Sequence, residues 1–335
     1  MRADDVVHIG ENRLAITRLG LGTAWLGNMY AAIDDASAAA VVQRALGLGM
    51  RLIDTAPLYG YGLAESRLRE ALGDVPRDSF VMSTKVGRML RPWAPGDPVL
   101  RKYDGTGSLF VDAPRMHAEF DFSYDAALRC IEDSLRRLGL DRLDVALIHD
   151  PDDHLAEALD GAHRALQRLK GEHIIGAIGV GTNQAAVLTR FARSADLDLV
   201  LLAGEYTLLD QTGLEELLPT CQARNVAVVL GGVYNTGILA DPSLGACYKY
   251  QVAPADIVER AQRMRAVCAR YDTPLRAAAV QFPFAHPAVS AVVVGVRSVA
   301  ELDDTVAMLQ LPIDGQLWTD LRTEGLLPDH VPVPG

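Results

Sequence analysis

The sequence is poor in the residues on which several common kinds of protein depend. Only four cysteines occur in 335 residues, and Cys130, Cys221, Cys247 and Cys268 form no CxxC pair. That scarcity excludes a disulfide frame or a cysteine zinc site and fits reduced thiols in a reducing compartment. No run of about 18 apolar residues exists, so no transmembrane helix is predicted. The first residues, Met1 to Asp5, lack the basic and apolar regions of a signal peptide, and the expected location is the cytoplasm. Basic side chains are also few: 32 against 43 acidic ones, a net charge of −11. Without a basic surface, neither nucleic acid nor an anionic membrane is an expected partner. His117, His154, His163, His173 and His286 show no metal-ligand spacing, no HExxH or paired-carboxylate site is present, and no metal is expected. A Gly/Ser/Pro-rich linker is likewise missing, so residues 1–335 are read as one domain. Nor is there a GxGxxG loop, which argues against a doubly wound dinucleotide fold.

Ordinary globular composition is what remains, 49% hydrophobic and 22% charged. The strongest pattern is the alternation of short apolar strands with helical segments. After a hairpin-like stretch (Val6 to Ile16, turning near Gly10), candidate strands are 18–23, 51–54, 80–85, 143–149, 175–180, 199–203, 227–230 and 289–294. Candidate helices are 36–48, 65–72, 124–138, 155–170, 184–192, 213–224, 255–271 and 298–309. Asp34 or Asp35 is placed to cap the first of these. Strands separated by helices pair in parallel through right-handed crossovers. Eight such units close into a (β/α)8 TIM barrel, with an open sheet as the alternative. One connection, 87–121, is long and rich in Pro, Gly and aromatics, and reads as a lid loop after strand 3.

Functional groups of a barrel belong at the C-terminal ends of its strands. Asp54, Lys85 and His149 end strands 2, 3 and 4, and Tyr59 lies in the loop after strand 2. Singly, each has a structural explanation: a helix cap, a solvated lysine, a packed tyrosine, a hydrogen-bonded core histidine. Together they suit proton transfer beside a hydride transfer. A lysine ammonium stabilises a tyrosinate and is expected to pull the tyrosine pKa down, Asp54 would orient Lys85, and a neutral His149 would bond the substrate oxygen. None of these groups accepts a hydride, so a nicotinamide is required.

Gly49-Met-Arg-Leu-Ile-Asp54-Thr-Ala-Pro-Leu-Tyr59-Gly60, with Glu65 following, resembles the signature of the aldo-keto reductase family. Thr84-Lys85-Val86-Gly87 and Ile148-His149-Asp150-Pro151 resemble the lysine and histidine segments of that family. The resemblance runs from Leu19-Gly-Leu-Gly22-Thr23 to the last helix. It implies a barrel fold, Tyr59 as general acid/base, Asp54 and Lys85 as its tuning pair, and His149 as substrate orienter. On the cofactor side it implies contacts from Gly22, Thr23, Asp54, Asn235, Gly237 and Leu239, with Tyr234 as the ring that stacks on the nicotinamide. Thr182 and Asn183 stand where the family has a Ser-Asn pair for the carboxamide, and Ala203 replaces a glutamine.

After strand 8, Gly295, Arg297, Ser298 and Glu301 fall in the phosphate and adenosine segment. Gly295 and Glu301 occupy positions where NADP users carry a lysine and an arginine, which favours NAD over NADP. Arg297 can still reach a phosphate, and Glu301 is also explained as a solvated first-turn residue. Segments 22–30, 86–92, 120–125, 201–209 and 234–239 resemble most the sugar 1-dehydrogenase branch, which oxidises L-fucose and related D-threo-aldoses to lactones. A pyridoxal dehydrogenase is similar to the same branch. Trp25, Trp93, Phe110 and Phe122, beside Tyr59 and His149, are the candidate walls of a pocket for a sugar or aromatic alcohol. The alternatives are an NADPH-dependent carbonyl reductase and, from a different class, a nucleotide-sensing binding subunit.

Overall fold

The computed structural model describes residues 1–335 except Tyr103, Asp104, Thr106 and Leu244. Those four lie in the proposed lid and in the loop before residue 247, and the part of the lid that falls on them is outside the described residues. An antiparallel hairpin comes first, β1 (Val6–Ile9) paired with β2 (Leu14–Thr17). A Cβ on Gly10 in its turn would meet Asp198 Oδ1 at 2.5 Å, so that position has room only for glycine. The chain then runs through β3 (Leu19–Gly22), β4 (Leu52–Asp54), β5 (Val81–Val86), β6 (Arg88–Pro92), β7 (Met116–Phe120), β8 (Leu143–His149) and β9 (Ile175–Thr182). It continues through β10 (Leu199–Ala203), β11 (Ala227–Gly231), β12 (Cys247–Tyr248), β13 (Gln251–Val252) and β14 (Val289–Gly295). β3, β4, β5, β8, β9, β10, β11 and β14 pair in parallel and close into a barrel; β6–β7 and β12–β13 are antiparallel hairpins outside it.

The helices are α1 (Asp35–Gly47), α2 (Leu63–Leu72), α3 (Tyr124–Leu138), α4 (Leu155–Glu157), α5 (Arg164–Gly171) and α6 (Ala185–Ser194). They continue with α7 (Leu217–Arg224), α8 (Ala255–Ala269), α9 (Leu275–Gln281), α10 (Val299–Gln310) and α11 (Gly315–Thr323). Local chemistry sets their starts. The Asp34 carboxylate accepts from the Ser37 N–H at 2.6 Å, and Ser123 and Ser298 cap α3 and α10 in the same way.

Strand alternation divides the apolar residues into two layers. Leu199 and Leu201 of β10 face the barrel interior with Leu52, Val81, Val145, Leu147, Val229 and Val293, and Ile9 and Ile16 of the first hairpin plug that interior from below. Val200 and Leu202 face the helices in the larger shell. Both faces of the strands are thus consumed by apolar packing, and only the strand ends are left for chemistry.

Three elements differ from expectation. Segment 155–170 is not one regular helix: residues 158–163 form a π-helical stretch. A Cβ on Gly161 would come within 2.4 Å of the Phe122 carbonyl oxygen, and the Ala162 N–H donates to that oxygen at 2.8 Å, so the approaching loop opens the helix. α9 lacks an amphipathic pattern because Leu275, Ala277, Ala278, Ala279 and Val280 are all buried, and for that reason its sequence gave no helical period. The long connection after β5 carries the β6–β7 hairpin, a structure of its own. No described helix is long and apolar enough to cross a membrane.

Candidate active site

The rim at the C-terminal ends of β4, β5 and β8 brings Asp54, Tyr59, Lys85 and His149 together. Lys85 Nζ lies 2.6 Å from Asp54 Oδ2, donates to the Thr55 carbonyl at 2.8 Å, and reaches the Tyr59 hydroxyl at 3.3 Å. Ser83 donates to the other Asp54 oxygen at 2.9 Å, which fixes the carboxylate. The Tyr59 and His149 rings meet edge-on, 6.0 Å between centroids. The loop that carries Tyr59 is held by a close backbone approach: a Cβ on Gly60, at φ +62°, would fall 2.5 Å from the Gly27 carbonyl oxygen. Behind it, fully buried Glu65 of α2 accepts from Thr84 at 2.9 Å and from Arg137 at 2.6 Å, tying α2 to β5 and α3.

Burial and charge act against each other here. Burial pushes the Tyr59 hydroxyl up to about 12, although the Lys85 ammonium pulls it down. The lowering expected from Lys85 is therefore present but outweighed in the chain alone. Burial also works against the Lys85 charge, yet Asp54 and Tyr59 more than compensate and hold its pKa above the ordinary lysine value. His149 is driven well below the usual histidine value by burial, then by Lys85 and Arg88. The site therefore pairs a permanent cation with a protonated tyrosine and a neutral imidazole. That combination can pass a proton to or from an oxygen while carrying no mobile charge of its own.

Around the rest of the rim the strand ends are small: Gly22, Ala203, Gly231 and Gly295 close β3, β10, β11 and β14. Thr23 is buried and its hydroxyl donates to the Asp54 carbonyl at 3.0 Å. Asn235 is also committed, donating to the Gly204 carbonyl at 3.0 Å and accepting from Thr207, so it stitches the loops after β10 and β11. Gly237 has φ +106° and Leu239 is fully buried in the same loop. At the start of α10, Glu301 accepts from the Arg297 N–H and Nε, both at 2.8 Å, and the Arg297 guanidinium lies 5.2 Å from the centre of the Trp25 ring. Nearby Arg276 is likewise paired, with Asp304 at 2.6 Å.

A family model described as the aldo/keto reductase family matches residues 18–323. The chain belongs to the aldo/keto reductase family. It is 41% identical over 319 residues to the D-threo-aldose 1-dehydrogenase of a Pseudomonas species, covering 94% of this chain and 96% of that one. It is 38% identical over 340 residues to the pyridoxal 4-dehydrogenase of Microbacterium luteolum, covering 98% and 99%. Among solved structures, the holo form of an aldo-keto reductase from Bacillus halodurans superposes with a TM-score of 0.75 over 95% of each chain at 24% identity, a likeness of fold. The chain is thus an aldo-keto reductase, an oxidoreductase of a family that works with nicotinamide cofactors.

In this aldo-keto reductase several of the expected contact residues already hold partners within the chain. Tyr234 is half-buried in the loop after β11. Its hydroxyl bonds Thr305 on α10, and the residue that ends β11 is Gly231, which has no ring to stack. The Thr182 hydroxyl donates to Asp152 at 2.6 Å, and Asn183 is half-buried and bonded to the Tyr250 hydroxyl. Trp25 sits against Arg297 and Gly295, on the side of the last strand.

Of the other aromatics, Phe110 packs in one cluster with Ala56, Leu58 and Tyr59, beside the tetrad. Phe122 is fully buried under Gly87, where a Cβ would lie 2.2 Å from its ring, so it supports the root of the β6–β7 hairpin and lines no pocket. Trp93 follows the far end of β6, stacked on Arg115 at 4.3 Å.

Sequence reasoning missed Arg88, Asp150 and Tyr250. Arg88 and Asp150 flank the recognised lysine and histidine and carried their own signal as charges at strand ends. Tyr250 is brought in by a hairpin that no local pattern announces.

Proposed function

We propose that this aldo-keto reductase is an NAD-dependent dehydrogenase that oxidises an aldose of the L-fucose or D-threo type at C1. The observation that carries the reading is the buried Asp54–Lys85–Tyr59 chain facing neutral His149, in a sequence 41% identical to a D-threo-aldose 1-dehydrogenase. The small residues at the rim, Gly22, Ala203, Gly231 and Gly295, leave room for a flat dinucleotide. Asn183, held by the Tyr250 hydroxyl, is the amide side chain placed to meet a carboxamide, and Ser298 and the first turn of α10 present backbone N–H groups to phosphates. Both arginines near that turn are neutralised, Arg297 by Glu301 and Arg276 by Asp304. This arrangement supports NAD, because a 2′-phosphate would meet carboxylates and no unpaired cation among these four groups.

A bound nicotinamide supplies the hydride acceptor. The part of the chain is to hold the substrate hydroxyl between the Tyr59 hydroxyl and His149 and to take its proton at the Tyr59 oxygen. Lys85, 3.3 Å from that oxygen, stabilises the tyrosinate that accepts the proton, and Asp54 keeps Lys85 charged and in place. His149 donates a hydrogen bond without competing for the proton. For a cyclic aldose the product is a lactone. Four free, buried cysteines suit a reducing compartment such as the cytoplasm.

A second reading, oxidation of a pyridoxal-type alcohol, is favoured by the apolar wall of Ala56, Leu58 and Phe110 beside Tyr59 and by the 38% identical relative. Initial rates of NAD and NADP reduction with L-fucose, D-arabinose, L-galactose and pyridoxal separate the two. The proposal expects NAD reduction with the sugars and at least a hundredfold loss in Tyr59→Phe, which still binds NAD. Turnover of pyridoxal alone contradicts the substrate assignment, and a Tyr59→Phe variant of wild-type rate contradicts the mechanism.

A further inference from the structure

Beside the tetrad lies a second group of polar side chains that the proton transfer does not use. Arg88, the first residue of β6, donates to Asp150 Oδ2 at 2.6 Å, and its guanidinium lies over the Phe120 ring at 4.2 Å. Both ends of this pair are largely shielded, with 14% and 23% of their side chains exposed. Asp150 follows His149 directly in an unusual left-handed backbone, φ +47°, and its Oδ2 is 3.6 Å from His149 Nε2. Two buried polar atoms here, Arg88 Nε of this group and Nδ1 of the adjoining tetrad residue His149, have no hydrogen-bond partner among the described residues. Buried polar atoms are nearly always paired, so orphans beside an active site mark places where a ligand or water completes the bonding.

The third member comes from across the rim. Tyr250 is at the tip of the β12–β13 hairpin, whose two turn residues, Lys249 and Tyr250, both have positive φ, +48° and +60°. Turns of that shape favour Asn and Gly, and a Lys-Tyr pair holds it only under constraint from its surroundings. The constraint is visible. Tyr248 donates to Asp210 at 3.1 Å, and Lys249 reaches Asp210 at 3.0 Å and Glu205 at 3.2 Å. So anchored, Tyr250 leaves much of its surface in solvent, but its hydroxyl bonds the Asn183 side chain and lies within the electrostatic reach of Asp150 and Lys85.

The geometry points to Arg88, Asp150 and Tyr250 as a specificity subsite that binds the hydroxyls adjacent to the reacting carbon of a polyol substrate. The inference rests on the aldose reading and deepens it. Neighbouring hydroxyls each donate and accept. A guanidinium offers paired donors, a carboxylate paired acceptors and a phenol one of each, so the three together match a vicinal diol and not a hydrocarbon ring. A substrate lacking those hydroxyls leaves buried donors such as Arg88 Nε without a partner, which is how such a site discriminates. The Phe120 ring under Arg88 keeps the guanidinium flat and in place.

The test is steady-state kinetics of the full chain with NAD, L-fucose and its mono-deoxy analogues, for wild type, Tyr250→Phe and Asp150→Asn. The expected result is a KM for L-fucose raised about 3–15-fold by Tyr250→Phe, as for one lost hydrogen bond. One mono-deoxy analogue should show no difference between wild type and that variant, because its missing hydroxyl is the partner of Tyr250. Because Tyr250 also bonds Asn183, the KM for NAD is read alongside, and an effect on NAD alone does not count for the subsite. A KM increase equal for L-fucose and every analogue, a rise confined to NAD, or variants both indistinguishable from wild type overturns the subsite. If wild type oxidises no aldose, the aldose reading falls, and the subsite falls with it; that result is seen in the wild-type arm alone.

Discussion

At the scale of single residues the site is governed by Lys85, a buried cation whose neighbours leave it no other protonation state. Asp54 and the Thr55 carbonyl satisfy two of its three donors and Tyr59 takes the third. Replacing it by methionine keeps the volume but leaves the buried Asp54 carboxylate without a cation, bonded, among the described residues, only by the Ser83 hydroxyl. Lys85→Met is expected to lose about 3–5 kcal/mol in urea unfolding together with nearly all activity; a variant of unchanged stability would show that the pair is not the anchor of the site. The Tyr59 hydroxyl, pushed up to about 12 by burial, is protonated at neutral pH. Oxidation needs the tyrosinate, whose fraction grows about tenfold per pH unit below the pKa. kcat/KM for oxidation should therefore climb from neutral pH into the alkaline range. A profile flat across that span would mean that another group takes the proton. His149 has the opposite linkage: its folded pKa is depressed, so below about pH 6.5 the unfolded chain takes up a proton that the folded one refuses, and stability falls as the solution is acidified.

At the scale of elements, some of this site is legible in the sequence and some is not. The barrel strands carry continuous apolar runs and the tetrad sits at their ends, so a count of strands and a look at their last residues reached Asp54, Lys85 and His149. Phe122 has the type of a pocket wall, an aromatic near a site, yet it is fully buried, and the hydroxyl of Tyr234 is tied to α10. Phe122 fills the space that Gly87 leaves, and Tyr234 bonds Thr305. Which way a loop side chain turns depends on contacts distant in sequence, as with the hairpin that carries Tyr250. α10 has the other informative element end. Its first turn holds Glu301 against Arg297, an ion pair partly exposed and thus weak in itself. Its meaning lies in charge toward a cofactor: Glu301→Arg should raise the ratio of NADP to NAD efficiency by at least about tenfold, since it removes a carboxylate and releases Arg297. An unchanged ratio would place the 2′ position of the cofactor elsewhere.

At the scale of the whole molecule the barrel separates stability from chemistry. Its lower end is sealed by Ile9 and Ile16 of the first hairpin, and its upper end carries every titratable group of the site. Two accessory hairpins meet that upper end from different parts of the chain, so Arg88 on β6 bonds Asp150, and Tyr250 beyond β12 lies within the electrostatic reach of Asp150, although 162 positions separate Arg88 and Tyr250. Function in this architecture comes from what the loops bring to a rim that the strands hold still. The central claim is that hydride leaves C1 of an aldose directly for the nicotinamide while Tyr59 takes the hydroxyl proton. Turnover of L-fucose deuterated at C1, with mass analysis of the reduced cofactor, tests it most directly. The account predicts one deuterium in each reduced nicotinamide and none in solvent; reduced cofactor without deuterium, or label at C1 retained in the product, would contradict it.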